Sequence, residues 1–442
     1  MHSHDAPMAT VLARIADRAR REPTATFDNV WHVMTEEFLA DCFHSLRRDA
    51  AAGVDSVTYA AYAADLPARL SALVARLKIF AYRPQPVRRV YIPKAGGGQR
   101  PLGIPALEDK IVQEGMRRIM TAVFEGDFLD CSYGFRPQRG GHRALRDLEA
   151  VLARQPVNYV IDADIHAFFD SVPHDALLTC VQRRLTDRRF LRYLVRFLKA
   201  GVMAEGVRLP ETAAGVPQGG LISPMLANIY LHYLLDVWFA QQGQAGLRGY
   251  AALNRYADDF VVCLQHEDDA TRMLALLRAR LAQGGLTLAE HKTRVLLFSR
   301  YAVERAAHSR YPPGTFDYLG FTHYWTPVGP GLPKGRLGRK SSRHRVRQKL
   351  QQFTAWLKRA RHAPLPTLWR AVGHKLQGHC AYYGIPGNRW AVRQYCEEAK
   401  EAVFRWLNRR SQRRSWTWAA FAAYEGRFPL PRATCRVRWA DS

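Results

Sequence analysis

Four consecutive residues, Tyr256-Ala257-Asp258-Asp259, set two adjacent carboxylates between apolar segments that read as short strands, LNRYADDFVVCL. Two like charges at a hairpin tip repel, and divalent cations offset that cost. Mg²⁺ favours one or two carboxylates plus substrate phosphates. A pair of such ions about 3.5–4 Å apart can activate a 3′-hydroxyl and stabilise a leaving pyrophosphate. The competing reading is a solvated acidic turn, which is common. Asp164 weighs against it. It lies in NYVIDADIHAFFDSV, where alternation puts Asp162 and Asp164 on one strand face. A carboxylate inside an apolar strand is costly unless it is paired or metal-bound. Asp164 is therefore the third candidate ligand for two Mg²⁺ ions. Asp162 is the weaker candidate and can orient or solvate the site, while Asp170 can equally cap the next helix.

Several elements are needed to position these groups. Leu66, Leu70, Leu73 and Leu77 recur at helical spacing. Val87–Pro93 alternates like a strand, AGGG is a turn and Arg100–Ile104 is a second strand, so a basic hairpin carries Lys94 and Arg100 beside its loop. EDKIVQEGMRRIMTAVFE reads as an amphipathic helix. GVPQGGLISPMLANIYLHYLLDVWF reads as a glycine-containing loop feeding a long helix, with Ser223 as N-cap before Pro224. Residues 267–284 look helical, and RVLLFSR and FDYLGFTHYW look like strands. Helices and strands are mixed, not strictly alternating, which favours α+β. From about 326 a Pro/Gly/Lys/Arg-rich linker leads into an all-helical tail. The expected division is a helical extension over 1–45, a central region over 46–330 and a basic helical region over 331–442.

The chain has 442 residues, an apolar fraction of 48% and a formal net charge of +26. Its pI is near 10.2. A chain this basic calls for a polyanionic partner, nucleic acid by default. The charge is concentrated: residues 331–442 hold 25 Lys and Arg against 5 Asp and Glu. The seven cysteines are scattered with no CxxC pair, which excludes a zinc ribbon or a disulfide framework and fits a reducing, cytoplasmic setting. No signal-peptide core and no run of about 18 apolar residues occurs, so no membrane role is expected.

Taken with their neighbours, these residues resemble the group II intron-encoded reverse transcriptases. The blocks that carry the resemblance run in order: AAAGVDSVT, RRVYIPKAGGGQRPLGIPALEDKIVQ, SYGFRPQRGGHRAL, DADIHAFFDSVPHD, GVPQGGLISPMLANIYLHYLLD, RYADDFVV, LAEHKTRVLLF and FDYLGF. They cover roughly residues 45–325, and several long blocks in fixed order are far more specific than YADD alone. The resemblance implies a right-hand polymerase, with fingers and palm of α+β character followed by an all-helical thumb and maturase region. It implies RNA-directed DNA polymerisation with two Mg²⁺ ions held by Asp164, Asp258 and Asp259.

Further roles follow from the same resemblance. Lys94 and Arg100 clamp the incoming dNTP triphosphate, or else bind template phosphates. Phe169 takes the place of the aromatic steric gate that excludes a ribose 2′-hydroxyl, with ordinary core packing as the alternative. Gln218, in GVPQGG, contacts the nucleotide. Lys292, in HKTR, matches the lysine that protonates departing pyrophosphate, with a plain surface lysine as the alternative. SYGFRP is rich in groups that stack on or bond to template, without individual assignments.

GHCAYYGIPGN and LNRRSQRRSWTWAAF resemble the thumb and maturase region that binds intron RNA. Aromatics interleave the cations there, most of them expected to pack a helical bundle with Arg and Lys outward. The endonuclease cysteine pairs of many relatives are not found, so the chain resembles the bacterial type that lacks the endonuclease. The expected partners are group II intron RNA, a DNA target and primer, and dNTPs, with oligomeric state left open. The expected function is copying intron RNA into DNA and assisting splicing and retrohoming. Two alternatives stand beside it. One is a domesticated reverse transcriptase in a CRISPR or phage-defence system. The other is a splicing factor with incidental polymerase activity.

Overall fold

The structure is a computed structural model that describes residues 6–93, 98–204, 207–209, 214–216, 219–327, 335–410 and 415–431. Lys94 and Gln218 lie outside the described residues. The strands are β1 (Val87–Pro93), β2 (Gln99–Ile104), β3 (Tyr159–Ala163), β4 (Val202–Ala204), β5 (Val207–Leu209), β6 (Ala251–Tyr256), β7 (Asp259–Leu264), β8 (Arg294–Leu297), β9 (Phe316–Tyr318), β10 (Phe321–Pro327) and β11 (Gly335–Ser341). Among the described residues they form three sheets, ordered β2-β1-β4-β5, β6-β7-β3-β8 and β11-β10-β9. The mixture of helix and strand is the α+β character expected.

The chain divides into two compact units. The first comprises residues 1–144, 163–262 and 268–294, and the second 145–162, 263–267 and 295–442. In the first, Leu70, Leu73, Val74 and Leu77 bury one face of the helix Leu66–Lys78, as their spacing predicts. The basic hairpin forms with Pro93 opposite Gln99 and Arg88 opposite Ile104. The helix Leu107–Phe124 is not simply amphipathic: Ile111, Val112, Met116, Ile119 and Met120 are fully buried, and so nearly are Asp109, Gln113 and Glu114. Each of these polar groups is matched. Asp109 accepts from the Tyr82 hydroxyl and from the Gln85 amide, and Glu114 pairs with Arg117 and Arg118. Burial still pushes the Asp109 carboxyl up to about 7.

Three local expectations need correction. The strand read through NYVIDADI stops at Ala163, because residues 164–166 leave the sheet to pair with 287–289: Ala289 N–H donates to the Asp164 carbonyl (2.8 Å) and His166 N–H to that of Thr287 (2.8 Å). Ser223 does not cap the helix Ser223–Leu231 but lies inside it, with Ile222 in the N-cap position. That helix runs on through two π-type segments, His232–Asp236 and Phe239–Gly243.

In the second unit the region after 326 is not all linker and helix. Gly335–Ser341 forms β11, antiparallel to β10 from Pro327 opposite Gly335 to Phe321 opposite Ser341. The all-helical reading of 331–442 is corrected by this strand; a segment rich in Gly and Arg pairs here because β10 offers it an apolar, aromatic edge. Among the described residues four helices follow, Arg343–Ala360, Leu365–Tyr383, Arg389–Leu407 and Trp418–Arg427. Trp369 and Tyr383 are buried among them, while Trp390 is 75% and Trp418 52% exposed. Among the described residues no helix is long and apolar enough to cross a membrane.

Candidate active site

The acidic turn is built by β6 and β7. Ala257, between the strands, adopts φ 57°, a left-handed conformation that L-residues avoid. Two features hold it there. The first is Gly134: a Cβ at that position would lie 2.6 Å from the Ala257 amide nitrogen, so only glycine lets the SYGF segment pass this close. The second is a polar network. Arg255 and Asp236 form a fully buried ion pair, with Nε to Oδ1 at 2.7 Å and Nη2 to Oδ2 at 2.5 Å. The same guanidinium donates to the Ala257 carbonyl (2.9 Å), the Asn228 side-chain oxygen (3.2 Å) and Ser132 Oγ (2.9 Å). Asn228 in turn donates to the Gly134 carbonyl at 2.7 Å. Every arm of Arg255 is used, as a buried guanidinium requires.

Around this turn the structure gathers most of the sequence-derived candidates. Asp164 and Asp258, both half-buried, are close enough to feel each other. Burial raises the Asp258 carboxyl above the ordinary range and the charge on Asp164 adds to the rise, while Arg100 and Arg255 oppose it. Arg100, on β2, is exposed, and its charge is felt at Asp258. Lys292 reaches the same place because Ala289 is tied to Asp164 through the backbone, and its Nζ pairs with Asp164 Oδ2 at 2.5 Å. Asp259 is half-buried beside Asp258. Asp162 is half-buried on β3.

Phe168 and Phe169 divide the two roles that a Phe-Phe pair offers. Phe168 is 2% exposed and belongs to the core, whereas Phe169 is only half-buried, with its ring edge-on to that of Phe168. The left-handed Ala167 (φ 44°) turns the chain into the short helix that presents it. Val216 N–H donates to the Phe169 carbonyl at 2.6 Å. Gly219 lies so near β2 that a Cβ would fall 2.3 Å from the Gly103 carbonyl. Gln113 Oε1 accepts from the Leu221 amide at 2.8 Å.

Among the described residues no three His, Cys, Asp or Glu side chains converge into a ready metal cage. The donor chemistry nevertheless fits Mg²⁺, which needs only one or two carboxylates and completes its shell with water and substrate oxygens. Two mutually repelling carboxylates flanked by cations are also the arrangement that a divalent ion relieves.

Sequence reasoning missed Arg255, Asp236, Asn228 and Gly134. The signal was present. Arg255 and Asp236 are opposite charges inside two strongly apolar segments, and such charges pair when buried.

The family model described as reverse transcriptase (RNA-dependent DNA polymerase) matches residues 92–323, more than half of the chain. The chain belongs to the reverse transcriptase family, and its enzymatic class is RNA-directed DNA polymerase. Protein YkfC of Escherichia coli K12 is 37% identical over 284 residues, 57% of this chain and 74% of that protein. The group II intron-encoded protein LtrA of Lactococcus lactis is 40% identical over 167 residues, 38% of this chain and 27% of LtrA. A 91 kDa protein in the cob intron of Schizosaccharomyces pombe is 41% identical over 162 residues, 37% of this chain and 20% of that protein. The chain therefore aligns with about a quarter or less of the length of these two intron proteins.

Proposed function

We propose that this chain copies group II intron RNA into DNA from a DNA primer, and that it also binds the intron RNA as a maturase. Asp164, Asp258 and Asp259 are the carboxylates that would hold two Mg²⁺ ions. Bound there, the metal would supply charge neutralisation at the transferring phosphoryl and a lowered pKa for the primer 3′-hydroxyl. What supports this reading is the pairing of Lys292 with Asp164 at 2.5 Å, together with an Asp258 carboxyl raised by burial and by the charge on Asp164, at a turn held in place by buried hydrogen bonds.

The chain's own groups take the remaining tasks. Arg100, with Lys94 across the hairpin loop, clamps the triphosphate, and a fixed cation there favours the charge that develops on transfer. Phe169 closes the space a 2′-hydroxyl would need, and Gln218 contacts the nucleotide. Lys292 is within reach of the reacting groups through its pairing with Asp164, and gives its proton to pyrophosphate as that leaves. The exposed cations of the last four helices track RNA phosphates, which makes binding there salt-dependent.

Primer extension on an RNA template with dNTPs and Mg²⁺ tests the polymerase assignment. Wild-type protein makes cDNA and Asp258→Ala makes none; synthesis retained by that variant refutes the site. The intron assignment is tested separately by the DNA flanking the gene, which should fold as a group II ribozyme. A CRISPR array or defence cluster there without a ribozyme favours a domesticated enzyme instead.

A further inference from the structure

The segment Ser132-Tyr133-Gly134-Phe135-Arg136-Pro137 sorts into inward and outward groups. Ser132 is fully buried and Tyr133 and Arg136 nearly so. Arg136, the only cation of the six, is turned into its own chain. Nη1 donates to the carbonyls of Leu129 (2.7 Å) and Ser132 (2.9 Å), Nη2 to that of Phe128 (3.2 Å), and the guanidinium pairs with Glu125 at 2.9 Å. It is scaffolding, not a phosphate contact. Gly134 is pressed on the backbone of the acidic turn.

Phe135 stands apart from these. Its side chain is 58% exposed, and its φ of 56° is one that a bulky L-residue rarely adopts. Strain of this kind persists only where the surroundings over-determine it, and it gathers at functional sites. Here the surroundings are the clamped Arg136 on one side and the wedged Gly134 on the other. The ring lies 6.3 Å from that of Tyr256, tilted by 45°, at the first residue of the YADD turn. Packing does not explain an exposed ring in a strained backbone, and no core is gained by it.

We propose that Phe135 is a stacking platform for a nucleobase of the primer–template duplex beside the reaction site, with Tyr256 as its neighbour. The proposal rests on the polymerase reading above and assigns one residue within it. Stacking on an aromatic face is tolerant of base identity, because every base has a π-face. That suits an enzyme that must copy any sequence. The block therefore contributes a ring to the substrate and keeps its cation for itself.

The test uses the full chain and a primer–RNA template carrying 2-aminopurine, in one arm at the primer 3′ terminus and in the other at the facing template base. Wild-type binding quenches the arm whose base stacks. Phe135→Leu keeps apolar bulk but loses the π-face, and should bind the duplex roughly tenfold more weakly, without the quench. Phe135→Tyr and Phe135→Trp should restore both. Phe135→Gly should lose affinity equally, yet melt no lower than wild type, because glycine accepts the left-handed backbone freely.

Wild-type affinity and quench in Phe135→Leu overturn the platform, and so does an unquenched wild type in both arms. The two readings fail separately. If wild type extends primers and Phe135→Leu binds normally, only the platform falls. If wild type extends nothing while Phe135→Leu still weakens binding, the polymerase assignment falls and the stacking site remains.

Discussion

The acidic turn and the C-terminal helices use charge in opposite ways. At the turn one guanidinium, that of Arg255, is fully buried and bonded to Asp236, Asn228, Ser132 and the Ala257 carbonyl. In the helices from Arg343 to Arg427 the interior is aromatic and aliphatic, with Trp369, Val372, Leu376, Tyr383 and Phe404 buried, and the abundant cations lie mostly outside. The first arrangement fixes the position of a few atoms and has no redundancy. The second fixes a surface, and its charges are interchangeable. Chemistry at a metal pair needs the former, while holding a polyanion needs only the latter.

Replacing Arg255 with Met should have the largest effect. It leaves Asp236 buried without a partner, at a cost of about 3–5 kcal/mol, read as a lowered chemical-denaturation midpoint. The Ala257 carbonyl also loses its donor, so cDNA synthesis should fall even under conditions where the variant stays folded. Adding Asp236→Leu should recover part of the stability and none of the activity. Full recovery of activity would mean that the network does not position the turn.

Trp369→Ala should cost about 3–5 kcal/mol by opening a cavity. Its ring packs edge-on to Phe421 and Tyr424, and its indole N–H donates to the Phe428 carbonyl at 2.7 Å. The substitution should leave the pairing of Arg255 with Asp236 untouched. A loss confined to nucleic-acid binding, with stability unchanged, would erase the contrast between a packed interior and a binding surface.

A smaller effect is expected from Asp109→Asn. The folded carboxyl is held near 7 by burial, against an unperturbed value of 3.8. Between those values the folded chain keeps a proton that the unfolded chain has released. Stability should therefore fall as pH rises from about 4 to about 7. The variant, neutral throughout, should lose this part of the slope in a series of melts across that window. The smallest change belongs to Trp390→Ala, at a side chain 75% exposed. Stability should move by no more than about 0.5 kcal/mol, and any loss should appear in RNA affinity alone.

Much of this architecture was legible in the chain. Val87–Pro93 and Gln99–Ile104 formed the hairpin their alternation foretold, and the strands on either side of YADD formed as read. Such elements are governed by local periodicity and turn chemistry. The misreadings share a different cause. Ser223 looked like a cap by type, but helix geometry one residue earlier removed the role. Gly335–Ser341 looked like linker by composition, and became a strand because a partner strand was at hand. In both cases a distant or neighbouring backbone overrode a local preference.

The sequence by itself determined the kinds of groups available. It put adjacent carboxylates at a turn, a third in an apolar strand, cations beside a glycine loop and a strongly basic C-terminal quarter. These follow from residue type and short-range spacing, which the chain states directly. Tertiary structure alone decided the company each group keeps: that Asp164 pairs with Lys292 and repels Asp258, that Arg136 faces inward while Phe135 faces out, and that Arg255 bonds to Ser132, Asn228, Asp236 and the Ala257 carbonyl. The reason is that burial and through-space charge depend on distances between residues more than a hundred positions apart, such as Asp164 and Lys292, and only the folded chain sets those distances.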